Sequence, residues 1–245
     1  MAVHTIYITR DCSMNCSYCY EENKIRSHIS ISRINLILKK IYLIDANPDM
    51  IEVFGGEPLL NWKIFQAILK FCNDRKTPLI TSTNGLHLTT DKINILKQYN
   101  ILVGISYDGQ TTHDVYRKTN NNSNTEQVVR ESIIKSIGDN LNIIINMTLQ
   151  IANANSLIND IENLYNLGVR KIQIHNVNHN QYAIGEEERN RILVQALLFA
   201  KNKSMDIYLK LLHSRSTSEH YYYYDTVIKK QQKGTLGNWA TVGWD

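Results

Sequence analysis

The sequence predicts an α/β protein built on a parallel sheet, and two observations carry that reading. Strand-like stretches alternate with helical stretches of ten or more residues from His4 to Leu212, which is the pattern of repeated βαβ units. Polar and glycine-bearing motifs sit where the strands end, and the carboxyl ends of strands are where ligands collect in such sheets. Six or seven units are too few for a closed eight-fold barrel, so a doubly wound sheet and an open partial barrel both fit.

The elements follow in order. "HTIYIT" (His4–Thr9) reads as a first strand, and "ISRINLILKKIYLIDA" (Ile31–Ala46) carries apolar residues at helical spacing, with Ser30 or Ser32 as cap. "MIEVFGG" (Met50–Gly56) is a second strand ending in glycines, and "NWKIFQAILKFCND" (Asn61–Asp74) a helix. "PLITSTNG" (Pro78–Gly85), "ILVGISYDG" (Ile101–Gly109), "LNIIINMTLQ" (Leu141–Gln150) and "VRKIQIHNV" (Val169–Val177) are the third to sixth strands. Helices separate them at Thr90–Tyr99, Glu126–Ile137 and Ala154–Gly168, the last closed by a C-terminal glycine. "EEERNRILVQALLFAKNK" (Glu186–Lys203) is a helix with acids at its N-terminus, as its dipole prefers, and Asp206–Leu212 has the pattern of one more short strand. "TNNNSNTE" (Thr119–Glu126) reads as a polar, mobile loop. The chain divides into a core over 1–212 and a Tyr-, Trp- and Gly-rich tail over 213–245 without sustained periodicity. "HYYYYDTVIKK" in that tail is expected to pack as a final helix, to make an oligomer contact, or to cover the mouth of the sheet.

Composition narrows the class. With 245 residues, 43% hydrophobic and 20% charged, the chain buries a substantial core without staples. A net charge of +4, spread along the chain, does not point to nucleic acid. No apolar run approaches the roughly 18 residues of a membrane span, and the N-terminus has no basic region followed by an apolar one. The expected location is the cytoplasm, where clustered cysteines more often bind metal or do chemistry than form disulfides.

Three of the four cysteines fall in "TRDCSMNCSYCYEEN": Cys12, Cys16 and Cys19, directly after the first strand. Soft thiolates select zinc, copper(I) or iron–sulfur clusters. Structural zinc wants four ligands, and a fourth would have to be His4 or His28, neither at finger-like spacing. An iron–sulfur cube also usually takes four cysteines. With three, one iron stays open, so the odd count makes sense if the missing ligand is a cofactor. A three-cysteine structural site completed by a distant histidine is the plainer alternative. The fourth cysteine, Cys72, lies on a helix beside Phe65, Leu69 and Phe71 and reads as core.

The spacing C-x3-C-x2-C resembles the signature of the radical S-adenosylmethionine (radical SAM) superfamily. That resemblance implies a [4Fe-4S] cluster on Cys12, Cys16 and Cys19, with SAM bound at the open iron. It further implies reductive cleavage of SAM to a 5′-deoxyadenosyl radical, and a partial (β/α)6 TIM-like barrel. Tyr18 would pack near the adenine. "FGGEPLL" (Phe54–Leu60) looks like the family's GGEP motif: Gly55 and Gly56 admit close backbone approach, Glu57 would accept from the SAM ammonium, and Pro58 stiffens the turn. "STNG" resembles TNG, with Asn84 as a polar contact. "ISYDG" followed by "HDVYR" resembles the SxDG…HDxxR pattern of one branch: Ser106 and Asp108 would sit by the ribose or the reacting carbon, and Arg117 would pair with the SAM carboxylate, with Arg130 as the alternative. Asn146 is expected to point into the barrel near the ribose.

Together these motifs look most like the peptide- and protein-modifying branch of the superfamily. The implied partners are a peptide or protein substrate, a separate leader-binding protein and a low-potential electron donor. No cysteine follows Cys72, so the auxiliary clusters common in that branch are not expected. The chain opens at the first strand, so no N-terminal leader-binding domain is expected either. An epimerase would need a hydrogen-donating thiol, and only Cys72 is available. Bond formation or cleavage on a peptide is therefore the expected reaction, with His175, beside Asn176, and Asp225 as candidate general bases. A small molecule such as a nucleotide or sugar is the alternative substrate.

Overall fold

The structure is a computed structural model that describes residues 3–19, 26–177, 180–211, 220–224, 233–235 and 240–242. Seven strands lie parallel: β1 (Val3–Tyr7), β2 (Met50–Phe54), β3 (Leu79–Thr83), β4 (Leu102–Ser106), β5 (Ile143–Leu149), β6 (Lys171–Asn176) and β7 (Asp206–Leu211). Each pairs with the next in sequence. That monotonic order decides between the two architectures. A doubly wound sheet reverses direction at a switch point, whereas strands added always on the same side by right-handed crossovers put every helix on one face. The sheet therefore rolls into a partial barrel and does not close.

The helices are α1 (Ile31–Ile44), α2 (Trp62–Asp74), α3 (Thr90–Gln98), the single turn α4 (His113–Tyr116), α5 (Glu126–Gly138), α6 (Leu157–Asn166) and α7 (Glu186–Lys203). Local chemistry sets their ends. Ser30 caps α1 by accepting from the Arg33 N–H, and Thr89 caps α3 by accepting from the Lys92 N–H. Asp114, on α4, accepts from the Thr125 and Glu126 N–H groups at 2.7 and 3.0 Å and so caps α5 from a distance. Glu186, Glu187 and Glu188 open α7, and Lys201 and Lys203 close it.

The strands sort their side chains by alternation. Ile6, Ile51, Val53, Val103, Ile105, Ile145, Met147, Ile172 and Ile174 are buried with Ile34, Leu38, Phe65, Ile68, Ile93, Val129, Ile133, Ile161 and Ile192 from the helices. The alternate positions carry Thr5, Glu52, Ser82, Ser106, Asn146, Gln173 and His175 on the concave face. One face is thus a hydrophobic core and the other a polar interior.

Three expectations change. The single turn α4 lies in a stretch read only as a motif; four residues are too few to show a helical period. The loop 119–125 is tied to the cysteine loop rather than mobile, as the site geometry shows. The described residues of the tail form strands where a helix was expected: β8 (His220–Tyr224) runs antiparallel to β7, β9 (Lys233–Thr235) antiparallel to β8, and β10 (Ala240–Val242) parallel to β1. An open sheet leaves backbone donors and acceptors at both edges, and these strands satisfy them.

Candidate cofactor site at the strand ends

The cysteine loop leaves β1 and is gripped from two sides. On one side the glycine turn after β2 donates to it: Gly56 N–H to the Thr9 carbonyl at 2.9 Å, and Glu57 N–H to the Asp11 carbonyl at 2.8 Å. A Cβ added to Gly55 or Gly56 would collide with those same two backbone oxygens. On the other side runs the segment after α4. Ser17 N–H donates to the Tyr116 carbonyl at 3.0 Å, Asn15 N–H to Lys118 at 2.8 Å, and Asn120 N–H to Ser13 at 3.1 Å. The Asn120 side-chain amide donates to the Cys12 carbonyl at 2.9 Å. Within the loop, Cys19 N–H closes a turn on the Cys16 carbonyl at 3.1 Å. All three cysteines are reduced and half-buried.

Glu57 is held by donors from its own turn and from the turn after β3. The carboxylate is fully buried and saturated: Oε1 accepts from Leu59 N–H at 3.0 Å and the Thr83 hydroxyl at 2.8 Å, and Oε2 from Asn84 N–H at 2.7 Å. Burial raises its pKa, against the pull of those donors and of Lys92. The side chain thereby joins the turns after β2 and β3. Pro58 opens the 3-10 turn that Glu57 caps. Asn84 presents its amide to the cysteine loop, with Nδ2 3.2 Å from Ser13 Oγ and 3.8 Å from Cys12 Sγ.

Asp108 is held by fold donors in a comparable way. It is fully buried: Oδ2 accepts from Arg117 Nε at 2.7 Å and from the Tyr18 hydroxyl, and Oδ1 from Thr148 N–H at 2.9 Å. Burial alone would raise its pKa, but Arg117 and His113 outweigh that and hold it below the usual carboxylate range. Arg117 also lies over the Tyr18 ring, 5.2 Å from its centroid. Burial pushes the Tyr18 phenol well up, so it keeps its proton. Tyr18, Asp108 and Arg117 thus form one buried knot linking the cysteine loop to β4, α4 and β5. Asp108 and Arg117 form a close ion pair through Nε, as charges in the interior require. Arg130 lies on α5, outside this knot.

The remaining predicted residues line the interior. Ser106 and Asn146 are register partners on β4 and β5, and Asn146 Nδ2 donates to Ser82 Oγ at 3.2 Å. His175 sits opposite Thr148 in the ladder, with Asn176 next to it at the end of β6. Asp225 lies outside the described residues. Cys72 is buried on α2 with its thiol pKa pushed up to about 12 by burial, so it is inert core. Sequence reasoning missed Ser13, His87, Thr83 and Asn120. Only Ser13, inside the cysteine motif, carried a positional hint.

Among the described residues no three or more His, Cys, Asp or Glu side chains converge on one metal position. The donor set nevertheless fits an iron–sulfur cluster. Three thiols share one anchored loop, and N–H groups of Met14 and Asn84 point at the Cys12 sulfur, at 3.4 and 3.8 Å. The two histidines that the sequence offered as a fourth zinc ligand are engaged elsewhere: His4 Nε2 is paired with Asp45 at 3.1 Å, and His28 bonds Thr9 at 2.9 Å.

Known proteins resemble this chain in sequence and fold. A cysteine-type anaerobic sulfatase-maturating enzyme of Clostridium novyi is 30% identical over 122 residues, covering 44% of this chain and 32% of the relative. An S-adenosylmethionine-dependent nucleotide dehydratase of Psychrobacter lutiphocae is 23% identical over 206 residues, covering 76% and 69%. A solved structure of anSMEcpe with bound AdoMet and a peptide superposes with a TM-score of 0.71 at 18% identity, over 83% of this chain and 61% of that one; at this identity it shows the fold alone. Several curated relatives are longer, and the chain spans between 29% and 49% of the length of three of them. The sequence signature of the Radical SAM superfamily matches residues 6–164, from β1 through α6. With the cysteine loop and the strand-end turns gathered inside that span, the chain belongs to the radical SAM superfamily.

Proposed function

We propose that this protein modifies a ribosomally made peptide or protein by radical SAM chemistry, making or breaking a bond on the substrate. Cys12, Cys16 and Cys19 would hold one [4Fe-4S] cluster. When bound, that cluster would supply the electron for reductive cleavage of SAM, whose 5′-deoxyadenosyl part would carry the radical that abstracts hydrogen. The chain's residues bind and orient. The Gly55–Gly56–Glu57–Pro58 turn presents backbone to the cofactor, while Ser106 and Asn146 offer hydroxyl and amide groups from the interior. The Tyr18 ring is fixed at the loop by Asp108 and Arg117. His175 is the candidate base facing substrate. The observation that carries the reading is the interlocking of the turns after β1, β2 and β3 into one cradle with half-buried thiols. The peptide class is supported by relatives named as maturation enzymes, including the sporulation killing factor maturation protein of Bacillus subtilis, 27% identical over 169 residues.

The nucleotide dehydratase similarity over most of this chain favours a second reading, a small-molecule substrate. One experiment addresses both. The protein is reconstituted anaerobically with iron and sulfide, given SAM and dithionite, and 5′-deoxyadenosine is quantified with candidate peptides or nucleoside triphosphates present. Formation that is absent in Cys16→Ala and stimulated by peptide supports the proposal. Stimulation by nucleotide transfers it to the second reading, and zinc binding without a cluster overturns both.

A further inference from the structure

The polar contacts behind the cysteine loop form a directed chain that the motif reading does not account for. The Asn84 amide cannot flip. Its Oδ1 accepts from Leu86 N–H at 3.0 Å, which leaves the NH2 group facing Ser13 Oγ at 3.2 Å and Cys12 Sγ at 3.8 Å. Its own backbone N–H is anchored on Glu57. Behind Ser13 stands His87, with Nε2 2.9 Å from the same hydroxyl oxygen. Burial and the neighbouring Lys92 lower the His87 pKa, so the ring is neutral at pH 7 and one nitrogen is free to accept. In the tautomer that leaves Nε2 unprotonated, the Ser13 proton goes to His87, the Ser13 lone pairs receive one Asn84 hydrogen, and the second Asn84 hydrogen is left for the sulfur.

We infer that Asn84, oriented by Ser13 and His87, is a positioning residue that donates a hydrogen bond to the Cys12 sulfur and thereby sets the reduction potential of the cluster this sulfur would hold. Hydrogen bonds to cluster sulfurs stabilise the more negative, reduced state, and partners beyond the ligands orient them. The inference assigns Asn84 to the cluster side of the site, not to substrate. It rests on the cluster proposed above.

The test uses the full-length protein and four variants: Asn84→Ala, Ser13→Ala, His87→Ala and His87→Gln, whose side-chain carbonyl can still accept from Ser13. The midpoint potential of the reconstituted cluster is read by redox titration followed by electron paramagnetic resonance. Asn84→Ala is expected to make reduction about ten-fold less favourable, a downward shift of about 59 mV for one electron. Ser13→Ala and His87→Ala should shift the same way by less, with His87→Gln near the parent. In parallel, the hydrogen-exchange rate of the Asn84 side-chain amide is measured by nuclear magnetic resonance on the metal-free protein. Exchange should quicken in Ser13→Ala and His87→Ala, and not in His87→Gln. Unchanged potential in Asn84→Ala overturns the inference even if activity falls. If the parent binds no cluster, the radical SAM proposal fails by itself. Exchange rates indifferent to Ser13 and His87 then overturn the hydrogen-bonded chain as well.

Discussion

The ends of β1 to β4 and the ends of β5 to β7 are built differently. At the first four, each turn is joined to the cysteine loop or to its neighbour: Gly56 and Glu57 to the cysteine loop, Glu57 to Thr83 and Asn84, Asn84 to Ser13, and Asp108 to Tyr18. At β5 to β7 the polar side chains Asn146, Gln173, His175 and Tyr208 line the open interior from half-buried positions. The first region is preorganised and makes the same cradle whatever the substrate. The second presents a varied polar surface that a substrate can select. Asp108 is the hinge of this division, because its second oxygen reaches across to Thr148 on β5.

The most severe way to break that contrast is Asp108→Ala. It leaves Arg117 as an uncompensated buried charge and should cost about 3–5 kcal/mol, read as the shift of the urea unfolding midpoint. His175→Ala, at the end of β6, should change stability by less than about 1 kcal/mol while altering substrate-dependent turnover. Equal losses from the two would abolish the contrast. Gly56→Ala comes next. The new methyl meets the Asp11 carbonyl, so the cysteine loop must shift, at about 1–3 kcal/mol and with poorer iron retention after reconstitution. Gly185→Ala, with nothing within 4 Å of the new Cβ, should stay within about 0.5 kcal/mol.

His113 sharpens the contrast through pH. Burial, reinforced by Arg117, lowers its pKa from 6.5 to about 4, and its Nδ1 accepts from Asp108 N–H at 3.3 Å. Between those values the unfolded chain binds a proton that the folded one does not, so stability falls as pH is lowered. Its contribution is complete above about pH 6.5 and declines until about pH 4. Relative to the parent, His113→Asn should flatten the slope in that window, measured by chemical unfolding at a series of pH values; parallel curves would show that His113 is already protonated in the fold. A small effect on function is expected from Cys72→Ala, in the core on α2. It should cost about 1 kcal/mol and leave SAM cleavage intact. Loss of cleavage with normal folding would return Cys72 to the chemistry.

Much of the fold could be read because its signals are local. Alternation in Ile51–Phe54 or helical spacing in Ile31–Ile44 needs no partner to be seen, and α7 matches its predicted bounds. The strands of the tail were illegible, since pairing at an open edge depends on a neighbour 200 residues away, as β10 on β1 does. The site divides along the same line. Cys12, Cys16, Cys19, the glycines and Asn84 were recognisable as a set by type and order. The occupation of Glu57, Asp108 and Arg117 was not, because a motif names residues without saying which of them face each other.

From residue spacing alone came the parallel α/β class, the three-thiol loop and its place at a strand end. Tertiary structure decided that the strands run in one unbroken order and roll into an open barrel. It also decided that the three most strongly charged motif residues support the cradle, and that Ser13, His87 and Asn120 stand behind the cysteine loop. The physical reason is desolvation. In the interior a carboxylate must find its donors within the fold, and which groups are near enough to serve is settled only when chain segments as much as 90 residues apart are packed together.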